Sequence, residues 1–491
     1  MKEGLVLIEA IGFMMLIIIS LALPMANSSN PLLAYYSLLP AISAFGSDGG
    51  LTSGSLSGVM YVQNSNGSSV SVVDLATNTI LLNMVVDGTL HNIELSEDQL
   101  TLYIMTTNRD SGTIFMLNTT NNEIIREVST EASVQDIATV NDTLYMSDEI
   151  GGKVLMINVN GTLINEIDVG SRPQFMEVRP DGQVLYITSL GGPVSVVDLE
   201  QNVVIKEIDS GSMPHRLSFT NDGSRLFVVN AGSDTLSIID SHKHEIIKTI
   251  PVGDNPQYVA LNPDETLAYV TNKDSNTVSI VDTQAIEVVN EIAVGNGPYG
   301  IAFSADSGDL LYVSNMRGND LSIINTTSSN ISDTISAGGA GPNQVVVRKP
   351  DIEIVRDEDE NSNNNRNNSP LIARVFVEVP DDLEESMRGL MFRKHLPGNA
   401  GMLFAYYDEK PRTFWMKNTL IPLDMIFVDG SSKIIEIKEN VPPCAQDECP
   451  NYPSKEPAQY VLEVNAGFVQ EKGVKVGDRL VAGFSQLDDC D

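Results

Sequence analysis

The chain has 491 residues, more than one hydrophobic core usually spans, so two or more domains are expected. An apolar content of 42% is ordinary for a globular protein. A formal net charge of -35 argues against a nucleic-acid binder, whose footprint is basic, and against attraction to an anionic membrane surface. The excess acid reads as a device that keeps an exported protein soluble.

Residues 1–26 hold one Lys and two Glu, then an apolar run from Ala10 to Ala26 that contains no charge and only Ser20 as a polar side chain. From Gly4 onward they can form about 20 residues of helix, enough to cross roughly 30 Å of hydrocarbon. The run ends Pro24-Met25-Ala26, a poor small-x-small cleavage site. This N-terminal apolar helix is therefore read as a membrane anchor, with a cleaved signal peptide as the alternative. Either way the rest is exported, anchored at the outer face of the cell membrane or secreted. Residues 27–55 are read as a linker. N-x-S/T sequons, as at Asn66, Asn118, Asn141 and Asn160, give export minor support.

Residues 56–349 carry one phrase seven times: Tyr61-Val62-Gln63-Asn64, Tyr103-Ile104, Tyr145-Met146-Ser147-Asp148, Tyr186-Ile187-Thr188-Ser189, Phe227-Val228-Val229-Asn230, Tyr269-Val270-Thr271-Asn272 and Tyr312-Val313-Ser314-Asn315. The aromatic residues are 42, 42, 41, 41, 42 and 43 apart, so one supersecondary unit is repeated. Each unit has four short runs rich in Val, Ile and Tyr, separated by Pro-Asp, Asn-rich and Gly-x-x-Pro turns, which predicts four strands. Imperfect alternation suits strands buried on both faces. Seven such units fit a seven-bladed β-propeller. A Pro-x-x-Val strand is missing before Tyr61, yet an extra one, Pro342-Asn343-Gln344-Val345-Val346-Val347, follows the last repeat. It is expected to complete the first blade and close the ring. A linear solenoid would need polar capping repeats, and none is evident.

These repeats resemble the YVTN family of β-propellers, common in archaeal and bacterial surface and exported proteins, which has no single activity. After each Gly-x-x-Pro hinge, or its equivalent, stand His91, Asp136, Gln174, His215, Gln257, Tyr299 and Asn343. On the innermost strand of each blade they would ring one mouth of the central channel. The functional reading is a ligand or cation site; the bland one is a solvated funnel rim, favoured because the two His lie three blades apart, too far to chelate one ion directly. Asp74, Asp198, Asp240 and Asp282, with Asn118, Asn158 and Asn325, are read as turn residues that bond their own backbone, with no catalytic role.

Residues 350–370 change character, with Asp357-Glu358-Asp359-Glu360 followed by an Asn-rich run. So polar a stretch cannot offset its ordering entropy by burial, and it is expected to be a flexible tether.

Residues 371–484 form the second domain, followed by a 485–491 tail. Strand-like runs are expected at 373–379, 401–406, 413–416, 424–428, 433–438, 459–464 and 478–481, with helices from Pro380 to Arg393 and over 466–472. The fold class is thus mainly β: a propeller followed by a small β-rich, barrel-like α+β domain. Gly389-Leu390-Met391-Phe392-Arg393, Phe414-Trp415-Met416-Lys417-Asn418-Thr419, Pro422-Leu423-Asp424, Pro443-Cys444 with Cys449-Pro450, and Tyr460-Val461-Leu462-Glu463-Val464 resemble the DUF192 family, a domain of unknown function that is often secreted or membrane-anchored. Cys444 and Cys449 are close enough to bridge in an oxidising compartment. Met387, Met391, Met402, Met416 and Met425 are read as core filler rather than as a soft copper site. Trp415, Lys417, Asn418, Asp424 and Glu463 form a polar-aromatic set that could line a pocket; structural pairing of Lys417 with a carboxylate is an equal reading.

No H-E-x-x-H, G-x-S-x-G or Gly-rich phosphate loop occurs. The expectation is an exported, membrane-anchored binding or scaffold protein that uses its propeller as an interaction platform for a protein or cell-surface glycan, without catalytic residues, metal, cofactor or nucleic acid. The alternative is a metal-handling protein or enzyme with its site in the second domain.

Overall fold

The computed structural model describes residues 58–482, except 97, 109–110, 141–142, 171, 305–308, 357–369, 381–382 and 445–447. The expected N-terminal helix, the 27–55 linker and the 485–491 tail lie outside the described residues.

Each repeat folds as one four-stranded antiparallel sheet. In the sixth, Pro256–Leu261 is innermost, followed outward by Leu267–Asn272, Thr277–Asp282 and Glu287–Ala293. The innermost strands touch their neighbours all the way round, so the seven sheets are blades of a closed propeller. Closure uses the extra strand: Pro342–Arg348 pairs with Val59–Asn64, with Tyr61 opposite Val346. Burial on both faces holds for the two middle strands of a blade. The outermost strand departs from it, since Glu245–Pro251 buries only Ile250.

The repeated phrase is a set of locks. Its aromatic residue is buried between blades, and in copies such as the first and fourth its hydroxyl reaches the outer turn of the next blade. Tyr61 donates to Asn122 Oδ1 at 2.8 Å, and the Tyr186 hydroxyl lies 2.6 Å from His244 Nδ1. Its Asn bonds a Ser one strand outward, as Asn272 Nδ2 does to Ser279 Oγ at 2.8 Å. That Asn packs on the hinge glycine: a Cβ on Gly253 would sit 2.6 Å from Asn272 Cγ, so only glycine fits. The strand-ending acids close turns as expected, with Asp282 Oδ1 accepting from Gln284 N at 2.8 Å.

The C-terminal sheet has seven strands in the order Ile434–Val441, Leu423–Val428, Ala458–Asn465, Ala400–Lys410, Leu371–Glu378, Asp351–Val355 and Arg479–Ala482. Its two edges meet: Lys433 bridges Arg479, and Leu480 N donates to Ser432 O at 2.9 Å, so the sheet closes into a barrel. Ile352, Ile354, Val375, Val377, Leu403, Ile426, Leu462 and Val464 belong to one core cluster, which fills it. A second core on the outer face gathers Leu390, Leu396, Met402, Phe404, Phe414, Met416, Met425 and Val461. Met402, Met416 and Met425 are packed there while Met387 is exposed, so the methionines do not converge as one ligand set.

Two expectations change. The helix expected to run to Arg393 covers Leu383–Arg388, because Gly389 at φ 49 turns the chain out of it. The residues just after 350 are not tether: Asp351–Val355 is a barrel strand paired to both Leu371–Glu378 and Arg479–Ala482. Its alternating Ile352 and Ile354 face the core, a pattern obscured in sequence by the acidic run beside it.

The ring-closing strand therefore passes into the barrel through two residues, Lys349 and Pro350. At this junction Arg348 is 1% exposed. It pairs with Asp351 at 2.7 Å, donates to Thr119 Oγ1 at 3.1 Å and lies 5.2 Å from the Phe376 ring. Lys349 pairs with Glu378 at 2.9 Å, and its backbone N donates to Gln99 Oε1 at 2.9 Å. Across the ring, Lys394 reaches Asp222 of blade 5 at 3.1 Å. Gln99 and Asp222 follow the far ends of innermost strands and Thr119 that of a third strand, all on one face, and blades 2 and 5 stand three apart in a ring of seven. The second domain thus lies across the channel axis on the face opposite the hinge prolines. Contacts seat it there, in place of the free tethering expected from the linker.

Candidate functional site

The rim residues come into register through the apolar residue of each innermost strand that pairs with the second residue of the repeated phrase. Ile93, Ile137, Met176, Leu217, Val259, Ile301 and Val345 pair with Ile104, Met146, Ile187, Val228, Val270, Val313 and Val62. Two positions before them stand His91, Gln135, Gln174, His215, Gln257, Tyr299 and Asn343. Six of the seven expected residues are in this ring; in blade 3 it is Gln135. Asp136 belongs one layer deeper, because Val134 takes the place of the hinge proline there. Alignment on buried Ile137 would have found this.

The deeper layer holds Asn92, Asp136, Phe175, Arg216, Tyr258, Gly300 and Gln344. Arg216, from blade 5, crosses the channel. It donates to Asn92 Oδ1 at 2.5 Å and Gln344 Oε1 at 2.6 Å, and stands 3.5 Å from Asp136 Oδ1. Its guanidinium lies 4.2 Å from the Phe175 ring and 5.3 Å from Tyr258. Asp136 also accepts from Met176 N at 2.7 Å and from Asn92. Burial pushes the Asp136 carboxyl above its usual range although Arg216 pulls it down. The channel is constricted here by side chains from six blades, the seventh contributing Gly300. Beyond the constriction lie Glu94 and Glu177, both pushed up to about 8, first by burial and next by the neighbouring acids Asp136 and Glu94 respectively.

On the rim side, His215 Nδ1 lies 2.8 Å from Gln257 O and must donate to it. Its Nε2 then accepts from the Tyr299 hydroxyl at 3.2 Å. Burial pushes the His215 pKa down to about 3, so the ring is neutral. His91 bonds Thr107 Oγ1 at 2.6 Å. Gln257 Nε2 turns back to Asn255 Oδ1 at 2.5 Å. The buried donors that meet no acceptor among the described residues include Gln174 Nε2 and Arg216 Nε.

Sequence reasoning missed Lys273, the residue directly after the sixth phrase. Its ammonium stands 4.9 Å from the Tyr299 ring, half-buried, and makes no ion pair with a described residue. Burial lowers its pKa, with Arg317 nearby as the next cause.

In the second domain the expected pocket set divides by role. Asp424 is fully buried and accepts from Asn440 N at 2.7 Å and Val469 N at 3.0 Å, a structural clasp. Asn418 adopts φ 57 and links two loops: its N donates to Cys444 O at 2.9 Å, and its O accepts from Phe392 N at 2.8 Å. Lys417 lies 5.5 Å from the exposed Trp415 ring and pairs with no carboxylate among the described residues. Cys444 and Cys449 form a disulfide, S–S 2.05 Å. Among the described residues no group of three or more His, Cys, Asp or Glu is placed to hold a metal ion.

Residues 93–330 match the family described as "Lactonase, 7-bladed beta-propeller", and residues 364–482 match DUF192, described as an uncharacterized ACR. The chain joins a seven-bladed propeller to a DUF192 domain. No curated protein matches it. Among solved structures, a functionally unknown protein from Desulfotomaculum acetoxidans DSM 771 is 14% identical, with a TM-score of 0.52 over 59% of this chain and 99% of its own. A "putative 6-phosphogluconolactonase" of Bacteroides fragilis NCTC 9343 is 16% identical, TM-score 0.51, over 60% of this chain and 99% of its own. Both show the propeller fold alone. A "putative transcription regulator" of Sinorhizobium meliloti 1021 is 33% identical over 28% of this chain and 95% of its own, with a TM-score of 0.23.

Proposed function

We propose that this propeller–DUF192 chain is an exported binding protein, held at the outer face of the cell membrane by residues 1–26, whose channel mouth takes the carboxylate of an acidic cell-surface glycan. The observation that carries the reading is Lys273: an ammonium without a described ion-pair partner, at the channel mouth of a chain with a net charge of -35. A half-buried cation whose nearest carboxylate, Asp274, is already paired with Arg317 is costly, and a bound anion offsets the cost. The unmet donors of Gln174 and Arg216 favour the same kind of ligand, an oxygen-rich one. Neutral His215 is committed to Gln257 and Tyr299, so it orients the mouth and does not act as a base. Calorimetric titration with glucuronate oligosaccharides tests this. Saturable binding that weakens about tenfold in Lys273→Ala supports it; binding indifferent to that substitution, or none at all, overturns it.

A second reading rests on the lactonase-type family match over residues 93–330 and on the name borne by the Bacteroides fragilis propeller. It is hydrolysis of a sugar lactone in the same mouth. Turnover of 6-phosphogluconolactone above its spontaneous rate, abolished in Lys273→Ala, would replace binding by catalysis.

A further inference from the structure

The DUF192 domain contains one carboxyl that the fold does not use. Glu463 sits mid-strand in Ala458–Asn465, directly between Met402 on one neighbouring strand and Met425 on the other. All three are on the outer face, where Leu390, Leu396, Phe414, Met416 and Val461 make the second core. Glu463 is 5% exposed, and no described residue donates to its carboxyl or pairs with it. Other deeply buried acids among the described residues of this domain are satisfied: Asp351 by Arg348 and Arg374, Asp424 by two backbone amides, Asp478 by Lys475 N at 2.7 Å and Arg356 at 3.2 Å, and Glu378 by Lys349 and Arg393. An unsatisfied carboxyl among methionines costs stability, so its retention needs a reason outside folding.

The loops that roof this core leave large apolar side chains in water. Phe392 is 63% exposed, Met387 61%, Leu420 47% and Trp415 45%. Phe392 is bonded through its backbone to Asn418, so the two loops that carry Phe392, Trp415 and Leu420 are tied to one another. Asn465 Nδ2 donates to Leu396 O at 2.7 Å, which fastens the first loop over the strand of Glu463.

We propose that Glu463 is the hydrogen-bond donor of a second binding site, in the DUF192 domain, that takes a neutral carbonyl flanked by apolar groups, as in an apolar peptide segment. A carboxylic acid that keeps its proton in neutral water offers an O–H, and a carbonyl oxygen is its natural acceptor. Burial alone pushes Glu463 up to about 8, so the acid form prevails at neutral pH. The cations around this core are largely engaged: Lys438 beside Met425 by Glu436 at 2.9 Å, Arg393 by Glu378, and Arg412 lies 3.8 Å over the Tyr406 ring, while Lys417 stands 5.5 Å from the Trp415 ring. Tyr406, on the neighbouring strand Ala400–Lys410, lies close enough to feel the Glu463 charge, and its own pKa is raised, first by burial. This site is independent of the channel mouth and stands or falls separately from it.

Trp415 is the only tryptophan of the chain, so its emission reports on this surface. The full chain is titrated with N-acetyl-leucine methylamide at about pH 6 and about pH 9.5, on either side of the Glu463 titration. Saturable binding at the lower pH, weakened about tenfold at the higher pH and in Glu463→Leu, is expected. Glu463→Gln, which keeps a donor, should bind at both pH values with little difference. No saturable response, equal affinity in Glu463→Leu, or a pH dependence that survives in Glu463→Gln each overturns the proposal. Removing an unsatisfied acid should raise Tm in Glu463→Leu, so misfolding does not confound the result.

Discussion

His215 stands in for a missing hydroxyl, donating from Nδ1 to the carbonyl of Gln257 at 2.8 Å. At other blade junctions the third residue of the repeated phrase ties its neighbour's rim carbonyl: Thr271 bonds Tyr299 O at 2.6 Å, Ser147 bonds Gln174 O at 2.7 Å and Gln63 bonds His91 O at 3.0 Å. Blade 5 has Val229 at that place, and the imidazole of His215 supplies the donor instead. His215→Phe should therefore cost about 1–2 kcal/mol, and less by about 1 kcal/mol in the Val229→Thr background. A urea-unfolding double-mutant cycle measures the difference.

Arg216→Leu should cost about 3–5 kcal/mol, because it strands the buried Asp136 and removes donors from Asn92 and Gln344. Adding Asp136→Leu should recover part of that loss. Chemical denaturation of the three variants tests the order.

Glu94, Glu177 and Glu463 are each raised to about 8 from an unfolded value near 4.5. A raised carboxyl stabilises the fold fully below its unfolded pKa and loses that contribution as pH rises through the folded one. Tm should thus fall from about pH 5 to about pH 8 and level off above. Glu94→Gln with Glu177→Gln should flatten most of the slope, as a pH series of thermal melts would show.

Reducing Cys444–Cys449 opens a very short loop and should cost about 2 kcal/mol. The loss falls on the second core, where Cys444 O holds Asn418 N. Trp415 emission should shift on reduction while far-ultraviolet dichroism of the propeller is retained.

The period of the repeats, the ring-closing strand and the DUF192 motifs were all legible in the sequence, since each repeats a local pattern of turn and strand residues. Asp136 was misplaced by one position because blade 3 lacks the hinge proline that sets the register. Arg216 and Lys273 carried no local signal. Their roles come from partners on other blades, as with Arg216 and Gln344, 128 residues apart. Glu463 was singled out with Asp424, but residue type alone could not separate a satisfied clasp from an unspent acid. That distinction depends on two backbone amides brought in from elsewhere in the fold.

The first blade is finished by the last strand of the ring, and this sets a timetable for synthesis. Val59–Asn64 leaves the ribosome early and presents an unpaired edge until Pro342–Arg348 arrives to cover it. Through that interval the nascent propeller is an open arc, vulnerable to pairing with another chain. Only two residues separate the closing strand from the barrel strand Asp351–Val355, so sealing the ring and recruiting the second domain are consecutive events on one ribbon. Release of a chain shortened before residue 342 would yield an adhesive fragment rather than a smaller working protein.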